Sequence, residues 1–181
     1  MKDALILVDI QKDYFPGGAM ELAGMEQAVQ KASLLLDRFR KEKRPVFHVQ
    51  HLSLRPGAAF FLPNTKGAEI HESVLPAKDE IVVQKHFPNS FRETGLLDHL
   101  RKAEVRELVF CGAMSHMCID ATVRAAFDLD FSCTVIADAC ATRDLEFQGM
   151  KVEAANVHAA FMAALAAVYA KVISAEQKIP A

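Results

Sequence analysis

The chain has 181 residues, of which 51% are hydrophobic and 24% are charged, and its formal net charge is -2. This composition is that of a globular protein, predicts one domain over residues 1–181, and provides no basic surface for nucleic acid. The longest apolar run, residues 159–170, is too short for a membrane span, and no secretory leader is evident, so we expect a soluble protein with no membrane partner.

The four cysteines lack the C-x-x-C spacing that is typical of redox and metal motifs; they are Cys111, Cys118, Cys133 and Cys140. Thiols without that pattern are typical of a reducing compartment, so we expect a cytoplasmic protein. Two of them lie in strand-like runs, where a small buried cysteine is an ordinary core residue.

Apolar runs alternate with helical spacings in the first half of the chain. A continuous apolar run such as residues 4–8 is typical of a parallel strand covered on both faces, and Asp9 follows it directly. Lys85 occupies the carboxyl end of the third predicted strand. The predicted elements in chain order are a strand at 4–8, a helix at 29–39, a strand at 46–49, a long loop at 50–66, a short helix at 68–74 and a strand at 81–83.

The second half continues this alternation, and its central stretch, residues 109–122, carries the most informative cysteine. An apolar run ends there at Gly112, Ser115 is a suitable helix N-cap, and helical spacing follows, so Cys118 is predicted in the first turn of a helix. The predicted elements are a helix at 96–103, a strand at 108–110, a helix at 115–128, a strand at 133–136, a helix at 149–164 and a strand at 168–173.

This alternation predicts an α/β fold, because parallel strands need crossover helices that cover both faces of the sheet. We expect a three-layer α/β/α architecture with a six-stranded, mostly parallel sheet in the order 3-2-1-4-5-6. Such sheets bind ligands at the carboxyl edge, where the strand order reverses, so Asp9 and Cys118 should face each other between the first and fourth strands. Lys85 begins about 10 Å from the first strand and needs its long side chain to reach the same crevice.

These three residues suit nucleophilic catalysis. A helix N-terminus stabilises a thiolate, the nucleophilic form of cysteine, and free amides near Met114 and Cys118 can hold an oxyanion. Asp9 can take the thiol proton while Lys85 stabilises both anions. Each residue alone also has a structural explanation: Cys118 as a core residue, Asp9 as a loop cap and Lys85 as a surface lysine.

Three motifs stand in order along the chain: Leu-Val-Asp9-Ile-Gln11-Lys-Asp13-Tyr-Phe, Lys85-His-Phe-Pro-Asn-Ser90-Phe91 and Gly112-Ala-Met-Ser-His-Met-Cys118-Ile-Asp-Ala-Thr122. With these motifs the sequence resembles the isochorismatase-like cysteine hydrolases. That superfamily includes nicotinamidases, N-carbamoylsarcosine amidases and ureidoacrylate hydrolases. The resemblance spans nearly the whole chain.

The resemblance implies a catalytic triad in which Asp9 is the general base, Lys85 stabilises charge and Cys118 is the nucleophile. It implies that the backbone N–H groups of Met114 and Cys118 hold the oxyanion and that the Ala113–Met114 peptide bond is cis. It also implies a small-molecule substrate, no cofactor, and a homo-oligomer that is a dimer or larger.

The loop at 50–66 contains three adjacent apolar residues, Phe60-Phe61-Leu62, which a solvated loop would not normally expose. At least one of them is expected to pack on the core of its own domain. Phe60 or Phe61 is expected to form an apolar wall over the Cys118 crevice, with or without a second subunit. The residues expected to line the substrate pocket are Phe15, Phe60, Phe61 and His116.

The region after the second strand departs from the metal site of nicotinamidases, in which an Asp-x-His pair precedes further histidines. Here His51 stands at the place of the aspartate. A zinc site built from His48, His51 and His71 is an alternative, but His48 and His51 face opposite sides of a strand end, so we expect no metal.

These observations lead to three hypotheses about function. The first is a metal-independent cysteine hydrolase that cleaves a small amide, carbamoyl or lactam C–N bond through a thioester. The second is a non-catalytic or redox-responsive small-molecule-binding protein of the same fold, and the third is a metal-dependent relative of nicotinamidase. The first is favoured because isochorismatase proper, which cleaves a vinyl ether, lacks the nucleophilic cysteine that this sequence retains.

Overall fold

A central β-sheet organises the chain in the computed structural model, which describes residues 3–179. Its six strands are β1 (Asp3–Val8), β2 (Val46–His51), β3 (Ile81–Lys85), β4 (Glu107–Ala113), β5 (Ser132–Ala141) and β8 (Lys171–Ile173). The intervening β6 (Leu145–Phe147) and β7 (Met150–Val152) form a separate antiparallel hairpin. The sheet is parallel throughout and has the order β3-β2-β1-β4-β5-β8.

Five α-helices cover the two faces of this sheet: α1 (Met25–Lys41), α2 (Leu96–Lys102), α3 (Asp120–Asp128), α4 (Ala154–Val168) and α5 (Ala175–Lys178). Successive side chains of a strand point to opposite faces, so β1 contributes to two separate cores. Leu5 and Leu7 pack in the core that holds α1, whereas Ile6 packs in the core that holds α2, α3 and α4. The unbroken apolar run of β1 therefore reflects burial on both faces.

The predicted α/β fold is confirmed, and the sixth strand of the predicted order is β8. The sequence pattern does not reveal the β6–β7 hairpin, so the helix predicted at 149–164 is wrong at its start and α4 begins at Ala154. Val168, predicted in the last strand, ends α4 instead. Residues 1–2 and 180–181 of the domain predicted over 1–181 lie outside the described residues.

The cysteines are core residues in the described part of the chain. All four cysteines are buried and free. Burial raises the pKa of Cys133 and of Cys140 to about 12, so these thiols are protonated core groups.

None of the helices within residues 3–179 is long and apolar enough to cross a bilayer.

The carboxyl ends of β1 and β4 approach each other closely at the edge of the sheet. Val8 of β1 pairs with Gly112 of β4, where the glycine has a φ of +124°. A Cβ atom at this position would overlap the Val8 carbonyl oxygen. Only glycine therefore lets the ends of these two strands pack side by side.

We expect Gly112→Ala to lower the free energy of unfolding by about 4 kcal/mol or more, because it adds a backbone clash to an unfavourable φ. Gly149→Ala is the matched control, since Gly149 has a φ of +78° but a Cβ atom added there would meet nothing within 4 Å. It should cost only about 1–2 kcal/mol. Urea unfolding measures both values, and equal losses would contradict the close-approach explanation.

Candidate active site

Three buried side chains meet at the carboxyl edge of the sheet. Asp9 follows β1, Lys85 is the last residue of β3, and Cys118 lies just beyond β4. The Nζ atom of Lys85 donates to Asp9 Oδ2 at 2.7 Å and to Cys118 Sγ at 3.2 Å. Lys85 and Asp9 are both completely buried, so the long side chain spans the distance expected from the sequence.

The backbone and carboxylate of Asp9 are both unusual. The residue has a φ of +53°, a left-handed conformation that is uncommon for a residue other than glycine, and its N–H donates to the Val49 carbonyl. Its Oδ2 accepts from Lys85, whereas its Oδ1 is buried and has no hydrogen-bond partner among residues 3–179. A buried acceptor of this kind is available to a proton donor in the same site.

Cys118 lies in the first helical turn after β4, but that turn differs from the prediction. One turn of π-helix, Ser115–Ile119, precedes α3, and its N-cap is Met114. Ser115 is not the cap, because its hydroxyl instead contacts the Ala141 carbonyl and His158 Nδ1. The Ala113–Met114 peptide bond is cis.

The charges of the three side chains are strongly coupled. Burial lowers the pKa of Lys85, but the Asp9 carboxylate and Cys118 outweigh burial and hold that pKa above its usual value. Burial also raises the pKa of the Cys118 thiol, as does the Asp9 carboxylate, and the Lys85 ammonium opposes this only in part. Burial and the Asp9 carboxylate therefore outweigh the stabilisation of the thiolate that was expected from the helix N-terminus.

A proton transfer within the site avoids this cost. Moving the thiol proton from Cys118 to Asp9 leaves the net charge of the buried group unchanged, whereas losing it to water would leave an extra negative charge without solvent. Such a transfer would form the thiolate beside the Lys85 ammonium, whose Nζ lies 3.2 Å from Sγ.

His51 is a fourth member of the site, which the sequence analysis places only in a hypothetical zinc set. It pairs with Lys85 in the β2–β3 register, and its Nδ1 lies 2.8 Å from Lys85 Nζ. Burial and the Lys85 ammonium lower the pKa of His51 to about 4, so at neutral pH Nδ1 accepts a hydrogen bond from Nζ. The buried side chain of Gln11 holds the His51 backbone at both its N–H and its carbonyl, at 2.7 and 2.9 Å.

A cavity of about 230 Å³ opens over Cys118. Most of its wall is apolar or aromatic, as is usual for a small-molecule site. The lining residues are Tyr14, His51, Ser53, Leu54, Arg55, Phe60, His86, Phe87, Pro88, Met114, Met117 and Cys118. Met114 and Cys118, the two residues predicted to hold an oxyanion, both line it.

Not all of the residues predicted to line the pocket lie at the cavity. Phe60 lines the cavity, whereas Phe15, Phe61 and His116 lie outside its lining. Phe15 stacks on the His71 ring with centroids 3.8 Å apart, and Phe61 is buried against Tyr14 at 4.5 Å. His116 hydrogen-bonds to Thr142 instead. These three side chains, which were predicted to line the pocket, each contact another part of the protein.

Phe60 and Phe61 provide a matched pair of substitutions. We expect Phe60→Ala to raise KM for a substrate by about tenfold through loss of apolar contact area, with little change in stability. Phe61→Ala should lower the free energy of unfolding by about 3–5 kcal/mol, because it empties a core position. Steady-state kinetics measure the change in KM, and urea unfolding measures the change in stability. A raised KM in Phe61→Ala together with a large loss of stability in Phe60→Ala would show that Phe60 does not form the cavity wall.

The histidines considered for zinc do not form one site. His48 Nε2 is 2.8 Å from Glu80 Oε2, His71 stacks on Phe15, and only His51 reaches the Cys118 site. The residues present therefore do not fit a nicotinamidase-like metal site. A different ligand set, Asp9, His51 and Cys118, has its ligand atoms within 4.8 Å of one another.

Several residues at the site are not predicted from the sequence pattern. Tyr14 and Met117 line the cavity, and Gln11 fixes His51. Gln11 is visible in the sequence as a polar residue two positions after Asp9 and close to the end of β1, which is where a sheet-edge site is built. Tyr14 carries no comparable signal, since its direction depends on how the loop after β1 folds.

Comparisons with known proteins agree with this architecture. The model of the isochorismatase domain matches residues 3–177. The isochorismatase family protein YddQ of Bacillus subtilis is 53% identical over 176 residues, which cover 97% of this chain and 98% of that protein. A crystal structure of an isochorismatase hydrolase from Oleispira antarctica has a TM-score of 0.96 at 50% identity and covers 99% of this chain and 97% of its own.

A more distant relative has a named activity. The streptothricin hydrolase of Streptomyces noursei is 37% identical over 142 residues, which cover 78% of this chain and 50% of that enzyme. The match covers most of the present chain, whereas half of the streptothricin hydrolase lies outside it.

Proposed function

The chain belongs to the isochorismatase family of hydrolases, and from that premise we propose that it is a cysteine hydrolase of small amide, carbamoyl or lactam C–N bonds. The reaction passes through a thioester on Cys118 and uses no metal. One observation carries the proposal: Lys85 Nζ lies 2.7 Å from Asp9 Oδ2 and 3.2 Å from Cys118 Sγ beneath a closed-in cavity. A carboxylate and a thiol that both contact one ammonium are the parts that nucleophilic acyl transfer needs.

In the first half-reaction, Asp9 accepts the thiol proton and the Cys118 thiolate attacks the carbonyl carbon of the substrate. Lys85 stabilises the negative charge on sulfur, and the N–H groups of Met114 and Cys118 hold the oxyanion. The protonated Asp9 then gives its proton to the departing nitrogen. The C–N bond breaks and the acyl group remains on sulfur. The amine leaves when the substrate is an amide or a carbamoyl compound, and it stays attached to the acyl chain when a lactam ring opens.

In the second half-reaction, water takes the place of the amine. Asp9 accepts a proton from this water while the water oxygen attacks the thioester carbonyl. The C–S bond then breaks and the carboxylic acid forms. The proton returns to the Cys118 sulfur, which restores the starting thiol. Each step moves one proton between Asp9 and a neighbouring atom, so the buried site never gains a net charge.

The absence of a metal from this mechanism follows from the position of the Lys85 ammonium. Nζ contacts Asp9, Cys118 and His51 at 2.7, 3.2 and 2.8 Å, so a cation already stands among the potential ligands. That ammonium supplies the positive charge that a Lewis acid would otherwise supply.

Formation of ammonia, of a free amine or of a new amino group in a panel of small compounds tests the proposal. The panel contains primary amides, lactams, carbamoyl compounds and streptothricin, the last because a relative is named for it. We expect one chemical class to be hydrolysed by the unaltered protein and not by Cys118→Ala. Equal release by both proteins would exclude Cys118 as the nucleophile, and binding of panel compounds without release would favour a non-catalytic binding protein.

A further inference from the structure

The Lys85 ammonium occupies the centre of a triangle of metal-type ligands. A carboxylate oxygen of Asp9, a ring nitrogen of His51 and the sulfur of Cys118 all lie within 4.8 Å of one another. Nζ stands 2.7–3.2 Å from an atom of each of the three residues. These three side chains therefore already converge on a single positive charge.

The ligand types and their spacing suit zinc. Zn²⁺ prefers thiolate, imidazole and carboxylate ligands at about 2.0–2.3 Å in a tetrahedral arrangement. Tetrahedral ligand atoms at those bond lengths lie about 3.3–3.8 Å apart. The ligand atoms of Asp9, His51 and Cys118 lie within 4.8 Å of one another and would draw together to reach that spacing once the ammonium has left.

Two further observations favour a cation at this position. Asp9 Oδ1 is buried without a hydrogen-bond partner among residues 3–179, so one ligand oxygen is unused by the protein. The His51 backbone is held at both its N–H and its carbonyl by Gln11, so the backbone that carries the imidazole is anchored independently of the Lys85 side chain. The cavity above Cys118 has room for a water as the fourth ligand.

We propose that Asp9, His51 and Cys118 form a cation site, in which Zn²⁺ competes with the Lys85 ammonium and thereby inhibits the protein. Binding moves the ammonium out of the triangle and releases the Cys118 thiol proton to solvent, and it forms bonds from zinc to oxygen, nitrogen and sulfur. Zinc binding requires only these three side chains, whether or not the chain cleaves an amide.

Removing the competing ammonium is the sharpest test. We expect Lys85→Ala to bind one equivalent of Zn²⁺ at least about 100-fold more tightly than the unaltered protein, because zinc no longer has to break three charge-assisted hydrogen bonds. Calorimetric titration with ZnCl₂ alone measures this difference. The matched control is Lys85→Ala combined with His51→Leu, which removes one ligand and should lose the gain.

A second measurement uses the protein with Lys85 intact, so it does not depend on how Lys85→Ala folds. Zinc should slow the alkylation of Cys118 by iodoacetamide in the unaltered protein and have at least about tenfold less effect in His51→Leu. Equal zinc protection in both proteins would overturn the proposal. So would a Lys85→Ala protein that binds no zinc, or that binds it equally well with and without His51.

Discussion

Replacing Cys118 with alanine removes amide hydrolysis, by a factor of about 10³ or more, while the fold persists. In the proposed mechanism this sulfur forms the thioester, and no other cysteine among residues 3–179 hydrogen-bonds to Lys85 or Asp9. Alanine suits the helix start and removes one buried atom, so the free energy of unfolding should change by only about 1 kcal/mol. Measured kcat/KM and urea unfolding check the two parts of the prediction.

Cys133→Ala is the matched control for this variant. Cys133 is also buried, at 7% exposure against 4% for Cys118, but its sulfur lies near the backbone carbonyls of Val123 and Phe131. It should lose a similar amount of stability and keep full activity. Equal losses of activity in the two variants would mean that a general packing defect, and not a missing nucleophile, explains the result.

Replacing Lys85 with methionine should lower kcat by about 10²–10³, because the site loses the cation that stabilises the thiolate. It should also lower the free energy of unfolding by about 3–5 kcal/mol, since the Asp9 carboxylate is left buried and unpaired. Lys85 and Asp9 are each 0% exposed, so water cannot replace the lost partner.

Combining Lys85→Met with Asp9→Asn separates these two effects. The double variant removes the unpaired charge and should recover much of the lost stability, because a neutral amide costs less to bury than a carboxylate. Activity should stay low, since both the base and the cation are missing. A double variant as unstable as Lys85→Met would show that the Asp9–Lys85 pair does not determine stability.

The fold is predictable from the sequence because its strongest signals are local. The unbroken apolar run of β1 and the recurring apolar residues of α1 reflect burial that the structure confirms. The β6–β7 hairpin escapes prediction because it exposes its apolar residues, Phe147 at 72% and Met150 at 68%, and therefore lacks an inside-outside alternation. Its turn, Gln148-Gly149 with positive φ at both residues, coincides with the predicted start of a helix.

The candidate site is predictable where it depends on strand ends and not where it depends on loops. Parallel strands bring Asp9, Lys85 and the Cys118 turn to one edge, so topology alone predicts that they meet. The direction of Phe61 depends instead on a distant contact, since its N–H donates to the buried Asp13 Oδ2 at 2.6 Å. The acidity of Cys118 likewise depends on burial, which a sequence pattern does not measure.

Mass spectrometry of the protein during turnover tests the central claim most directly. The protein is mixed with an amide that it hydrolyses and is quenched in acid, which preserves thioesters. The account predicts an increase in mass equal to the acyl group, located on the peptide that contains Cys118 and absent from Cys118→Ala. Turnover without any acyl adduct on Cys118, together with hydrolysis by Cys118→Ala at the unaltered rate, would contradict it.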